Sequence, residues 1–262
     1  MRVLVTRPSR EARRWLEALK CAGHDPIALP LIDIAPAADL QPLTDVWQQI
    51  SRYQAVMFVS ANAVDFFFAA QPQSMASIFS EAVPSVRAWA TGPGTAQALL
   101  RAGASAAGID TPKPDSLQFD SESLWAQVHA QIGGGSQVLI VRGDEASSQA
   151  MGTGRDWLAQ QIQAAGGCTD FVVAYRRQVP AFTRAQQGIV RAASTDGSAW
   201  LFSSSQAVAN LAISFPALSW AKACAIATHP RIAQTARSHG FGVVCESRPT
   251  LDDVIASIES WA

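Results

Sequence analysis

The sequence predicts an α/β protein made of two similar parallel-sheet domains. Strand-like and helix-like patterns alternate along the 262 residues, which is typical of parallel sheets covered by helices on both faces. The second half of the chain repeats patterns of the first half. Each half also carries an extended, proline-marked segment after its first strand–helix unit.

Short apolar runs predict the strands of the first half at 2–6, 56–60, 86–90 and 106–109. Helical spacing of apolar residues predicts a first helix capped by Ser9, and later helices at 43–50, 61–72, 95–101 and 122–131. Pro26, Pro30 and Pro36 mark segment 27–34. Because a central strand does not accommodate proline, they predict an edge strand or a linker there. Late in the chain, 241–246 predicts a strand and Thr250 is expected to cap the last helix.

The second half then repeats the first in the same order. RVLVTRP at 2–8 matches QVLIVRG at 137–143, and ARRWLEALKCAG at 12–23 matches GRDWLAQQIQAAGG at 154–167. Further on, MFVSANAV matches WLFSSSQAV, and AWATGPGTAQALLRAG matches AIATHPRIAQTARSHG. Several matched blocks in one order indicate an internal duplication.

The two extended segments suggest how the halves are arranged. We expect one discontinuous domain from 1–35 plus 180–262 and a second domain from 38–172. The segments at about 28–38 and 171–180 would then run side by side as a two-stranded connector, which makes the fold a swapped duplication. A simpler alternative is two consecutive domains divided near Gly134.

Composition excludes several functional classes. The formal net charge of −1 gives no general attraction to nucleic acid or anionic lipid. No apolar run is long enough to span a bilayer, and MRVLVTRP lacks the pattern of a signal peptide. The four cysteines lie far apart and the four histidines form no metal motif. These observations predict a cytoplasmic protein with reduced thiols and no metal.

Four predicted helix starts carry polar residues, at 60–62, 91–95, 203–205 and 228–230. Each would expose backbone N–H donors and the positive end of a helix dipole, which suits a carboxylate or a phosphate. Ser, Thr and Asn are also ordinary caps, so one such turn alone means little. Four turns facing a common cleft would bind a ligand with many negative groups. TGPGT at 91–95 matches neither a Walker loop nor the dinucleotide fingerprint.

The stretch FVVAYRRQVP at 171–180 predicts a strand that begins buried and ends exposed, with Tyr175 at the change. The ordinary interpretation is a tyrosine that covers the core, followed by solvated arginines. His229 is better explained as a cap than as a base, and no catalytic triad or carboxylate pair is evident. The chain would therefore act by holding a reactive substrate in one shape.

These motifs together resemble the uroporphyrinogen-III synthase family: VLVTRP, FVSANAV, TGPGTAQAL, DSESL, VLIVRG, YRR, FSSSQAV and SRPTLDDVI, in order. The resemblance implies two flavodoxin-like α/β domains joined by a two-stranded connector. It also implies a substrate, hydroxymethylbilane, with eight carboxylates. The family's enzymes expel the terminal hydroxyl as water, invert ring D through a spiro intermediate and close the macrocycle without a cofactor.

Carried over residue by residue, the resemblance makes Tyr175 the group that helps the hydroxyl leave. It assigns carboxylate binding, largely through backbone donors, to Ser60, Asn62, Thr91, Gly92, Thr95, Gly143, Ser203, Ser204 and Thr228. It offers three arginines as charge partners, Arg7, Arg142 and Arg176. The chain departs from the family at 227–230, where a second threonine is missing, and at Pro93, which removes one N–H from its turn.

Two other functions remain open at this point. A non-catalytic sensor that closes on an anionic small molecule would use the same donors. A tetrapyrrole methyltransferase would need a cofactor loop that the sequence lacks. We expect a monomer, with transient contact to hydroxymethylbilane synthase as a possible partner interaction, and no nucleic-acid or membrane partner.

Overall fold

The structure, a computed structural model, describes residues 1–81, 85–114, 116, 118–144 and 153–261, with backbone alone at 9–11 and 153–156. In chain order its strands are β1 (Arg2–Val5), β2 (Asp25–Ala28), β3 (Asp33–Pro36), β4 (Ala55–Phe58), β5 (Arg87–Ala90), β6 (Ile109–Asp110), β7 (Gln137–Gly143), β8 (Cys168–Gln178), β9 (Ala199–Phe202), β10 (Cys224–Ala227) and β11 (Val243–Glu246). Its α-helices are α1 (Ser9–Cys21), α2 (Gln41–Gln48), α3 (Ala61–Ala69), α4 (Pro93–Arg101), α5 (Ser121–Val128), α6 (Thr153–Ala164), α7 (Arg184–Ala193), α8 (Ser205–Ser214), α9 (Pro230–Ser238) and α10 (Leu251–Glu259).

The chain divides into two compact units. Unit 1 contains Met1–Asp33 and Gln178–Ala262, and unit 2 contains Ile34–Arg177. The expected boundaries were at 35 and 180. Strands β3 and β8, which each cross a unit boundary, are neighbours in one sheet.

Each unit is built on one sheet. Unit 1 has the strand order β11-β10-β9-β1-β2, with neighbouring strands parallel. The second sheet has the order β3-β8-β7-β4-β5-β6, in which the pairs from β8 to β6 are parallel. These sheets confirm the predicted α/β fold class.

The strand order also shows the exchange between the two repeats. Numbered within its own repeat, the sheet of unit 1 runs 2-1-3-4-5, with β1 and β2 from the first repeat and β9, β10 and β11 from the second. In unit 2, β7 and β8 of the second repeat occupy positions 1 and 2, beside β4, β5 and β6 of the first. Both units therefore have the flavodoxin-like order.

Burial on both faces explains why the central strands are continuous apolar runs. In β4, Val56 and Phe58 pack in the cluster that contains Trp47 and Phe67, whereas Ala55 and Met57 belong to the cluster on the opposite face. Alternate residues of a strand point to opposite faces, so each must be apolar. Trp47 also donates its indole N–H to the Phe67 carbonyl at 3.0 Å, which satisfies the one polar atom of that side chain.

Three local expectations were wrong or incomplete. Helix α1 begins at Ser9 itself, so Pro8 rather than Ser9 is its N-cap. The strand expected at 106–109 is a 3₁₀ turn at Ala106–Gly108, followed by the two-residue β6. Helix α7 was not predicted, although Thr183 and Gln186 form a capping box, which is a sequence signal for a helix start.

The cap predicted for the last helix is present. The Thr250 hydroxyl accepts the Asp253 N–H at 3.2 Å, as expected of a cap on α10. Within the described residues, the helices are all too short or too polar to cross a membrane.

Candidate functional site

The polar residues predicted in unit 2 follow the carboxyl ends of its parallel strands. Ser60 comes after β4, Thr91 and Gly92 come after β5, and Gly143 ends β7. Because these strands are parallel, their carboxyl ends meet at one edge of the sheet, where open α/β sheets bind ligands. Tyr175 reaches this edge from β8, the neighbour of β7.

A β-bulge brings Tyr175 to its position. The register pairs Arg142 with Val173 and then Gly143 with Tyr175, so β7 skips Ala174. Bulges of this kind re-aim a side chain. In a regular strand, consecutive side chains point to opposite faces. Here the consecutive residues Ala174 and Tyr175 both belong to the same buried cluster, as a bulge allows.

The ring of Tyr175 is enclosed, with 3% of the residue exposed. Phe66 stacks on it with 6.1 Å between ring centroids and 23° between planes. On another side the ring lies on the backbone of Gly143, where an added Cβ would come within 2.6 Å of the phenol Cζ. Only glycine permits this approach.

The hydroxyl of Tyr175 meets Ser60. Its oxygen lies 3.2 Å from the Ser60 Oγ, and either atom can be the donor. Ser60 is the N-cap of α3, and its Oγ accepts the Ala63 N–H at 3.2 Å. The phenol is therefore hydrogen-bonded to a group that is itself bonded to the positive end of a helix.

The start of α4 supplies fewer donors than the sequence suggested. Gly92 is its N-cap and Pro93 has no N–H. The Thr95 N–H is used within the helix, since it donates to the Gly92 carbonyl at 3.1 Å, and the residue is 7% exposed. By its position, the Gly94 N–H is among the first-turn donors that an α-helix does not bond internally.

Sequence reasoning missed Phe119 at this turn. Its Cβ would lie 3.4 Å from a Cβ placed on Gly92, yet 47% of the residue is exposed. A large apolar residue directly before the Asp120 cap of α5 was the available signal. Asn62 and Thr91, which sequence reasoning did name, are both partly exposed near this edge.

The arginines predicted as charge partners have different surroundings. The Arg142 guanidinium carbon lies 4.9 Å from the centroid of the Phe171 ring, a cation–π distance. Arg176 is exposed just beyond Tyr175. Arg7, in unit 1, lies over the Trp15 ring at 4.5 Å.

In unit 1, the remaining predicted residues also follow strand ends. Ser203 and Ser204 are partly exposed after β9, and Ser204 is the N-cap of α8 without a side-chain cap bond. Thr228 is 8% exposed, and its N–H donates to the Phe202 carbonyl at 3.1 Å. The His229 Nδ1 accepts the Arg231 N–H at 3.1 Å, which confirms that His229 caps α9.

Shifted acid–base groups occur at the amino ends of the strands, away from this edge. Burial raises the pKa of the Tyr53 phenol, which lies two residues before β4 and donates to Asp170 at 2.8 Å. Burial also raises the pKa of the Cys224 thiol at the first residue of β10. Among the described residues, no three His, Cys, Asp or Glu side chains lie close enough to hold a metal ion.

Comparison with known proteins gives one family. Residues 13–256 match the family described as uroporphyrinogen-III synthase HemD. The chain is similar to the uroporphyrinogen-III synthases of Chlorobaculum parvum (27% identical over 173 residues, 65% of this chain and 62% of that one) and Synechococcus elongatus (28% over 181 residues, 68% and 61%). The matched part thus spans about three fifths of either relative's length.

Solved structures show the same fold. The crystal structure of uroporphyrinogen-III synthetase from Helicobacter pylori matches with a TM-score of 0.59, 14% identity and 100% coverage of both chains. A mutant uroporphyrinogen III synthase from Thermus thermophilus matches with a TM-score of 0.50 and 14% identity over 99% of this chain and 98% of that one. At this identity the likeness concerns the fold alone.

Proposed function

This chain belongs to the uroporphyrinogen-III synthase family, and from that premise we propose that it converts hydroxymethylbilane to uroporphyrinogen III in heme biosynthesis. The reaction expels the terminal hydroxyl of the linear tetrapyrrole as water, inverts ring D and closes the macrocycle. The proposal includes no cofactor, because the bilane is itself reactive and closes to the type I isomer unaided.

One observation carries the proposal at the level of this chain. The Tyr175 hydroxyl is hydrogen-bonded to the N-cap of α3, at the edge of the sheet where ligands bind. A phenol there can donate to the departing hydroxyl, which is the one bond to oxygen that the reaction must break. General acid assistance by one positioned side chain supplies part of the rate enhancement rather than the whole.

The substrate's acetate and propionate groups need donors instead of acids. We assign them to Asn62, Thr91 and Gly92 in unit 2, and to Ser203, Ser204 and Thr228 in unit 1, largely through nearby backbone N–H groups. Thr95 belongs to the same proposal through the α4 start. Gly143 enters as the support of the Tyr175 ring. Arg7, Arg142 and Arg176 would add positive charge.

An isomer assay tests the function. Freshly generated hydroxymethylbilane is incubated with the purified protein without added cofactor, and the oxidised products are separated by chromatography. We expect predominantly type III uroporphyrin. Type I alone, as in the protein-free blank, from folded protein would contradict the proposal and favour a sensor that binds its ligand unchanged.

The Tyr175→Phe variant tests the assigned role. Phenylalanine keeps the ring on Gly143 and removes only the hydroxyl, so we expect slower type III formation with substantial activity remaining. Complete loss of activity in a variant with an unchanged melting temperature would show that the phenol does more than assist.

A further inference from the structure

The contact between Ser60 and Tyr175 can run in either direction, and the direction decides which hydrogen is left for a ligand. The Ser60 Oγ already accepts the Ala63 N–H at 3.2 Å, and a serine hydroxyl has a single hydrogen to donate. The Tyr175 oxygen lies 3.2 Å away. If tyrosine donated to serine, its only hydrogen would be occupied and unavailable to a substrate.

We propose that Ser60 is a positioning residue for Tyr175: the serine hydroxyl donates to the phenol oxygen and leaves the phenol proton free for the departing hydroxyl of the substrate. This inference rests on the proposed function. It gives Ser60 a role that acts through Tyr175, in place of direct carboxylate binding.

The result is a chain of three donors. The Ala63 N–H donates to Ser60, Ser60 donates to Tyr175, and Tyr175 donates to the substrate. Each bond in such a chain polarises the next. As negative charge grows on the phenol oxygen, the serine hydrogen and the positive end of α3 stabilise it.

The bulge and the enclosed ring hold this geometry. Gly143 and Phe66 restrict the ring on two sides, so the phenol oxygen stays beside the start of α3. Ser60 and Asn62 remain partly exposed there. A ligand held at that helix start therefore lies next to the phenol.

The proton balance closes within one turnover. The C–O bond of the hydroxymethyl group breaks with its electron pair on oxygen, which takes the Tyr175 proton and leaves as water. A pyrrole carbon of the substrate later loses one proton as the macrocycle forms. That proton returns to the phenolate, and the serine donates to the phenol oxygen throughout.

A double-mutant cycle tests the inference, with kcat and KM measured for type III formation. We expect Ser60→Ala to lower kcat roughly 3- to 10-fold, the size of one net hydrogen bond, and to change KM less than about twofold. Ser60→Thr keeps a hydroxyl and should recover most of the rate. In a Tyr175→Phe background, Ser60→Ala should have almost no further effect, because the group it acts through is gone.

The cycle needs a control for the helix cap, since Ser60→Ala also removes one. Thr250→Ala is matched, because the Thr250 hydroxyl caps α10 by accepting an N–H at the same 3.2 Å. Both variants should show similar falls in melting temperature, and Thr250→Ala should leave kcat unchanged.

The outcomes separate the inference from the function it rests on. A rise in KM at constant kcat for Ser60→Ala, equally large without the Tyr175 hydroxyl, would return Ser60 to carboxylate binding and overturn the inference while the synthase function stands. Equal losses of kcat in both backgrounds would also overturn it. Absence of type III product from the wild-type chain would remove the function and the inference together.

Discussion

Replacement of Gly143 by alanine should disturb the contact between Tyr175 and Ser60. The added Cβ would lie 2.6 Å from Cζ, 2.7 Å from Cε2 and 3.0 Å from the hydroxyl oxygen of Tyr175. Carbon atoms in contact prefer about 3.5–4.0 Å, so the ring must move by about 1 Å. That shift would also stretch the 3.2 Å contact between the phenol and Ser60.

Overpacking of this kind costs about 1–3 kcal/mol. For a chain of this size, that corresponds to a fall in melting temperature of roughly 2–12 °C. The type III rate should fall with it, toward the rate of Tyr175→Phe. Thermal unfolding and the isomer assay on the same preparation measure both effects.

The cause is checked by removing the ring. A Tyr175→Ala background removes the three atoms nearest to the added methyl group, so Gly143→Ala should cost much less there. If Gly143→Ala were harmless alone, or equally destabilising in both backgrounds, then the close approach of the ring to Gly143 would not be what requires glycine.

Three further changes test the rest of the fold. Thr183→Ala removes the half of the α7 capping box in which the Thr183 hydroxyl accepts the Gln186 N–H. It leaves the half in which the Thr183 backbone N–H donates to the Gln186 side-chain oxygen, and urea unfolding should show a loss of about 1 kcal/mol. Unchanged stability would show that this hydroxyl contributes nothing to the helix. Gly188→Ala places a methyl group inside α7 where nothing lies within 4 Å, so stability should rise by about 0.5–1 kcal/mol; a loss would mean that the helix face is more crowded than described. Tyr53 links stability to pH. Burial, together with the Asp170 hydrogen bond, raises the pKa of its phenol in the folded chain. The stability that the protonated phenol contributes is therefore present below about pH 10 and is lost as pH rises further. Tyr53→Phe should therefore make the fall in urea midpoint above about pH 10 shallower, whereas an unchanged slope would assign the fall to other groups.

The fold was largely predictable because its strands are buried on both faces. Runs such as 55–58 and 199–202 have no exposed residue, so their sequences are apolar throughout and stand out from the helices. The swap followed from the order of the repeats. By contrast, β6 pairs over only two residues, Ile109 and Asp110, and so short a strand leaves no pattern that distinguishes it from a turn.

The site was predictable as a set of positions but not as a set of contacts. Helix starts after buried strands are visible in sequence, which is why Ser60 and Gly92 were named. The contact between Ser60 and Tyr175 joins residues 115 positions apart, and it depends on the bulge that skips Ala174. A one-residue change of register reverses the side of a strand on which a residue lies, and no local pattern announced this one.

The two units share one strand order but differ in the side chains that follow their strands. Both units present a helix N-cap serine after the third strand of the flavodoxin-like order, Ser60 in one and Ser204 in the other. Unit 1 has no tyrosine of its own to pair with its serine, because the two tyrosines of the sequence, Tyr53 and Tyr175, both lie within Ile34–Arg177. In unit 1 the Thr6 hydroxyl donates to the Leu201 carbonyl at 2.7 Å. Under the proposed function, anion donors would be useful in both copies, whereas one proton donor would suffice for the single hydroxyl that leaves.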